Sequence, residues 1–170
     1  MAQRTLDKGR RLVPVGVLFV CTGNICRSPT AEGVFRKMVA EAGLTKEITV
    51  DSAGTQNFHS GESPDPRSID AAQARGYDMT GQSARRVHER DFHKYDLVLA
   101  MDREHLHHLT AMAPGDTYER VKLFLSYASK TNVQEVPDPY YGGGEGFDEV
   151  LDLIEDGSRG LIEAIQRDFL

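Results

Sequence analysis

Cysteine is scarce in this chain: Cys21 and Cys26 are the only two in 170 residues. A structural disulfide framework spreads its cysteines along the sequence and a zinc site needs about four ligands, so this pair fits neither pattern. Long apolar runs are missing too. None approaches the ~20 residues that a membrane helix needs, so no membrane insertion is expected. Positive charge is not in excess, with Lys+Arg 20 against Asp+Glu 26 and a formal net charge of -6. That balance offers no electrostatic footprint for nucleic acid, and any bound anion must be held by local geometry rather than by the overall field. Internal repeats, low-complexity tracts and linkers are also absent. The six histidines include His105, His107 and His108, whose spacing suits an exposed helical turn better than a metal site. No metal and no cofactor are expected.

What is present reads as one domain. Residues 1–14, with Arg4, Lys8, Arg10 and Arg11, form a basic stretch without the apolar core or small-residue cleavage site of a secretory signal. A flexible N-terminal extension and a cytoplasmic protein are expected. From residue 15 onward, strand and helix patterns alternate. "VGVLFV" (15–20) is the continuous apolar run of a central strand buried on both faces. Ala31, Val34, Phe35, Met38, Val39 and Ala42 then recur at helical spacing, with Pro29 near the start and Gly43 at the stop. A second strand ends near Asp51 and Ser52, a helix follows "SPDPR", and "YDLVLAMD" (95–102) is a third strand with a helix behind it. Residues 121–128 begin as a fourth strand, and a long helix with an apolar stripe closes the chain. This alternation predicts an α/β domain over 15–170, a four-stranded parallel sheet with helices on both faces. Ligands in such folds sit at the carboxyl ends of the strands, where Cys21, Ser52, Met101 and the 136–146 loop converge.

Residues 21–28, "CTGNICRS", join the first strand to the first helix. Gly23 admits backbone angles closed to other residues, and Asn24 tolerates a left-handed conformation. Such a loop can turn the N–H groups of Thr22, Gly23, Asn24, Ile25, Cys26 and Arg27 inward as a nest for an anion. The helix start adds its unpaired donors and dipole, and Arg27 can close the cradle with a bidentate pair to phosphate oxygens. The same field favours the ionised sulfur of Cys21, so one device would bind a phosphate dianion and aim a nucleophile at it. Ser28 is placed to donate to that thiolate. On its own, a cysteine and an arginine at this spacing also suit a packed core thiol and a surface guanidinium.

"VLFVCTGNICRSPTAE" resembles the signature of the low-molecular-weight protein tyrosine phosphatases. "VDSAGT" (50–55), "SPDPR" (63–67), "YDLVLAMD" and "VPDPYYGG" (136–143) match that family in the same order, so the resemblance covers residues 15–170. It implies metal-independent hydrolysis of phosphotyrosine in proteins, with Cys21 as nucleophile, a phosphocysteine intermediate, and phosphate or similar oxyanions as inhibitors. It also implies Asp138 as the general acid, later the base that activates water. Pro137 and Pro139 stiffen that position, and glycines 142–144 let the loop fold over a site. Tyr140 and Tyr141 become walls for an aromatic ring. Phe58 is either a third wall or a hydrophobic plug under its loop. Asn24 and Ser52 look like the family's supporting pair. Many relatives carry a histidine where this chain has Gln82, which can bridge to Asn24 but cannot titrate. Cys26 is either a packing residue or a resolving thiol for oxidised Cys21, and the resemblance favours the second.

Two alternatives share parts of this pattern. A thiol-dependent arsenate reductase would use the same loop but usually relies on further cysteines downstream, and none follows Cys26. A non-catalytic phosphotyrosine-binding module would need Arg27 but neither Cys21 nor Asp138.

Overall fold

The apolar run at residues 15–20 becomes the inner strand of the sheet, covered on both faces. The computed structural model describes residues 6–7 and 10–170. Strands β1 (Val15–Cys21), β2 (Ile48–Gly54), β3 (Leu97–Ala100) and β4 (Val121–Leu123) are all parallel, in the order β2-β1-β3-β4. Val15 pairs with Ile48, Val17 with both Val50 and Leu97, and Val98 with Val121. Alternate residues of β1 point to opposite faces. Val15, Val17, Phe19 and Cys21 join one core, and Leu18 and Val20 join the other.

Helices α1 (Arg27–Glu41) and α5 (Gly144–Asp168) cover the first face, with α2 (Pro66–Ala74) packed on both of them. Phe19 anchors this core, its ring meeting Phe35 edge-on at 5.6 Å and Phe124 at 5.1 Å. Burying such a side chain contributes ~2–3 kcal/mol. The short α3 (Asp91–Lys94) and α4 (Arg103–Met112) supply Phe92 and Leu109 to the second core. Two aspartates start helices: Asp65 accepts from Arg67 N ahead of Pro66, and Asp102 accepts from His105 N. The start of α1 differs, with no side-chain cap and no acidic residue in its first turn.

Three boundaries depart from expectation. β2 continues past Ser52 to Gly54, because Ser52 and Gly54 pair with Phe19 and Cys21. α1 begins at Arg27, so Pro29 falls inside the first turn, where a missing N–H costs nothing. β4 stops at Leu123, and Phe124–Tyr127 tighten into a 3₁₀ turn pressed against α5. The fit there is close: a Cβ at Gly157 would lie 2.7 Å from Phe124 Cζ, and one at Gly160 would lie 1.7 Å from Tyr127 O.

Part of the N-terminal extension, residues 1–5, 8 and 9, lies outside the described residues. Leu6–Asp7 pairs antiparallel with Arg10–Arg11, and Arg11 Nη2 donates to Asp96 Oδ1 at 2.7 Å. Among the described residues no helix is long and apolar enough to cross a membrane.

Candidate active site

The order of the strands reverses between β1 and β3, and a cleft of about 350 Å³ opens beside the carboxyl end of β1. Cys21 forms its floor, with Cys26 and Arg27 along the loop that follows. That loop is tied down from below: Thr55 N donates to Cys21 O, Gln56 N to Thr22 O, and Asp65 N to Ile25 O. Asn24 has φ 58, the left-handed conformation that its short polar side chain tolerates. Its Nδ2 donates to Ser28 Oγ (2.8 Å) and Ser52 Oγ (3.0 Å), while its Oδ1 accepts from Arg85 N (3.0 Å). The Ser52 hydroxyl in turn donates to Glu32 Oε1 at 2.8 Å. Burial raises the pKa of Glu32, although Ser52 and Arg36 work in the other direction.

Ser28 has one hydroxyl proton and two acceptors in reach, Cys21 Sγ at 3.0 Å and Ala53 O at 3.3 Å. A thiol can donate to Ser28, whereas a thiolate would attract its proton. The uncapped first turn of α1 adds unpaired N–H groups at the same spot.

Arg27 is 4% exposed, and its two terminal nitrogens are held differently. Nη1 is anchored by Asp102 Oδ2 at 2.9 Å and Val136 O at 3.1 Å. Nη2 has longer contacts, Thr22 Oγ1 at 3.4 Å and Asp138 Oδ2 at 3.6 Å. Val136 N in turn donates to Met101 O at 2.8 Å, which fastens the start of the 136–146 loop to the end of β3. One buried valine thus brings Asp138 to the cleft although it lies far along the chain from Cys21.

The Asp138 side chain is 42% exposed, and its Oδ1 accepts from Tyr140 N at 3.0 Å. Tyr140 and Tyr141 meet edge-on at 5.0 Å and line the mouth together with the exposed Phe58. Arg67 sits 5.4 Å from the Tyr140 ring centre and 4.9 Å from that of Phe147, its guanidinium gripped by Asp65.

The model of the low molecular weight phosphotyrosine protein phosphatase family matches residues 16–169. The chain belongs to that family. A low molecular weight protein-tyrosine-phosphatase of Streptomyces coelicolor is 45% identical over 153 residues, covering 88% of this chain and 93% of its own length. YfkJ of Bacillus subtilis, with the same description, is 40% identical over 91% of this chain and 97% of its own. A crystal structure of a protein tyrosine phosphatase from Entamoeba histolytica superposes with a TM-score of 0.89 at 36% identity, covering 92% of this chain and 99% of that one. The protein is a phosphoric monoester hydrolase acting on phosphotyrosine proteins, as the family implies.

Against the family pattern read from the sequence, three expectations need correction. Gln82 does not bridge to Asn24: its Nε2 donates to Pro29 O at 3.0 Å, its Oε1 is buried without a partner, and Arg85 N takes the place at Asn24. Gly23 does not adopt positive φ. It matters as space, since a Cβ there would meet His59 Cδ2 at 3.0 Å. The histidine cluster is not simply exposed, because His105 is 2% exposed and its Nε2 lies 2.8 Å from Thr22 Oγ1. Burial, reinforced by Arg27, pushes the pKa of His105 down to about 4, so it is neutral at pH 7. Asp102, which burial alone would raise, is instead held below the ordinary carboxylate range by His105 and Arg27.

Asp102, His105, Arg85, Arg67 and His59 were all missed as site residues. "MD" at the end of "YDLVLAMD" was the available signal for Asp102, an N-cap residue directly after a strand end. "SPDPR" carried one for Arg67, and nothing local marks the role of the other three.

Proposed function

We propose that the protein hydrolyses phosphotyrosine through a covalent phosphocysteine formed on Cys21. One observation carries the reading: the Cys21 sulfur lies 3.0 Å from Ser28 Oγ, on the floor of a cleft into which an uncapped helix start and the loosely held Nη2 of Arg27 also face. A bound phosphate dianion takes the loop N–H groups of residues 22–27 and an N–H of Arg27 Nη2, whose contacts to Thr22 and Asp138 are long. The thiolate attacks phosphorus opposite the ester oxygen. Charge shifting on the equatorial oxygens meets fixed donors and a guanidinium that Asp102 and Val136 O already orient.

The phenolic oxygen leaves as the P–O bond breaks, and Asp138 gives it a proton. The same carboxylate then takes a proton from water, which attacks the phosphocysteine to release phosphate and the Cys21 thiolate. Ser28 donates to the sulfur as it departs. Tyr140, Tyr141 and Phe58 flank the ring of the substrate, and the depth of the cleft favours an aryl phosphate over the shorter phosphoserine. Inorganic phosphate and similar oxyanions compete for the same cradle.

Cys26 serves as the guard of the nucleophile. Peroxide oxidises the Cys21 thiolate to a sulfenic acid with loss of hydroxide. Cys26 then attacks that sulfur, water leaves, and a disulfide replaces the two thiols. Both cysteines are free and buried, and burial pushes the pKa of Cys26 up to about 12, which keeps it a thiol while Cys21 reacts. A reducing cytoplasm suits an enzyme that depends on free thiols.

Rapid-quench labelling with ³²P-phosphotyrosine peptide tests the central step. The wild type should carry a transient label on Cys21, and Cys21→Ser should lose turnover by about 10⁴-fold or more while still binding phosphate. Turnover retained in Cys21→Ser would sink the assignment.

A further inference from the structure

Thr22 follows the proposed nucleophile directly, lines the cleft, and reaches α4 through its side chain, at His105. Its partner His105 is buried and held at both ring nitrogens. The backbone N–H of Asp102 donates to His105 Nδ1 at 3.3 Å, half of the reciprocal capping box that starts α4. A ring nitrogen that accepts an N–H carries no proton of its own, and the ring is neutral at pH 7 with a pKa near 4. Asp102 Oδ1 also lies 3.0 Å from Nδ1 but is engaged by the His105 backbone N–H. The tautomer that keeps the Asp102 N–H bond to Nδ1 has its single proton on Nε2, donating to Thr22 Oγ1 at 2.8 Å.

Thr22 Oγ1 also accepts from Arg27 Nη2 at 3.4 Å. Both lone pairs of the hydroxyl are then engaged by donors, and among the described residues no acceptor takes the hydroxyl proton. With its two lone pairs turned toward His105 and Arg27, the oxygen has only the open cleft left for its hydrogen.

We infer that the Thr22 hydroxyl is an additional side-chain donor to a phosphate oxygen in the cradle, and that His105 is the positioning residue that aims it. The inference deepens the proposed function: it adds a donor to the same anion site. A serine could do the same job, whereas an apolar residue at 22 would leave His105 Nε2–H buried without an acceptor. His105 acts only through Thr22, and its neutrality is part of the device. Asp102, Arg27, Asp138 and His108 are the charged or titratable groups around it, and Arg27 on one side opposes a second proton on the ring while Asp102 favours it.

Titration of the purified full chain with inorganic phosphate, followed by ³¹P NMR or calorimetry, reads the donor without needing turnover. Thr22→Val should weaken phosphate binding by about tenfold, the loss of one hydrogen bond to a charged group, and Thr22→Ser should restore most of it. His105→Phe should weaken it to a similar degree, with little further loss in the double variant. Phosphate binding by Thr22→Val equal to wild type would overturn the donor role. An unaltered His105→Phe beside a weakened Thr22→Val would overturn the positioning role. Ring ¹⁵N shifts of the wild type give a second measurement that does not depend on any variant folding: His105 should show the Nε2–H tautomer, and an Nδ1–H tautomer would overturn the inference. A wild type that neither binds phosphate nor hydrolyses an aryl phosphate would overturn the proposed function itself, and this donor with it. Normal wild-type turnover combined with an indifferent Thr22→Val would count against the donor alone.

Discussion

Asn24, buried in the loop behind the cleft, and Asp138, which lines it, are held in different ways. Asn24 is 2% exposed, and its side chain meets Ser28, Ser52 and the backbone of Arg85. Asp138 is 42% exposed at its side chain, with one backbone donor and a 3.6 Å ion pair. The glycines on the two sides repeat the contrast. A Cβ at Gly54, beneath the loop, would lie 2.6 Å from Thr22 O, whereas at Gly143 and Gly144 it would meet nothing within 4 Å. Space demands the first glycine; the other two only loosen the chain. The half of the site proposed to hold the anion is tied down by several buried bonds, and the half proposed to handle the proton is more exposed and tied by fewer.

The contrast can be broken or sharpened by experiment. Between these two residues, the larger effect on turnover is expected at Asp138. Asp138→Asn should slow phosphotyrosine hydrolysis by about 10²–10⁴-fold, and nitrophenyl phosphate much less, because nitrophenolate departs without a proton. Equal losses on both substrates would count against the acid role. The fixed half should answer in stability instead. Asn24→Ala strands Ser52 and Arg85 N and removes the short polar side chain that makes φ 58 tolerable, for a cost of about 2 kcal/mol in denaturant unfolding. Asn24→Gly should recover only the backbone part, and an Ala variant as stable as the wild type would mean that the network is not what fixes the loop. The smallest effect concerns Cys26. After a peroxide pulse, Cys26→Ser should regain less activity with added thiol than the wild type does, and equal recovery would remove the guard role.

How much of this was legible in the sequence follows the same division. The sheet was readable because β1 is buried on both faces, which forces an unbroken apolar run. Asn24 was readable because few residues accept a left-handed backbone. Cys21, Arg27 and Asp138 could be named from their motifs, and the structure gathers them around one cleft. His105 was not readable: its role depends on α4 starting where β3 ends, which a local pattern of three histidines cannot reveal. Arg85 escaped for a similar reason, since it serves Asn24 through its backbone N–H while its side chain is drawn to Asp91 and Asp51. Burial opposes the charge on Arg85, and those two carboxylates more than restore it. Gln82 misled because its residue type permits a bridge that its position beside Pro29 does not make. The early end of β4 is set by the close approach of α5 to Phe124 and Tyr127, a long-range contact with no local signature.

The place of β1 in the sheet has a consequence for how the chain is made. β1 is the first strand of the four-stranded sheet to leave the ribosome and the longest that is buried throughout, yet its neighbours arrive only with residues 48–54 and 97–100. Until then its edges are open to solvent and to other nascent chains. The strand that carries the cysteine at its tip is therefore also the segment most exposed to mispairing during synthesis, and a chain released before residue 97 would keep that hazard permanently.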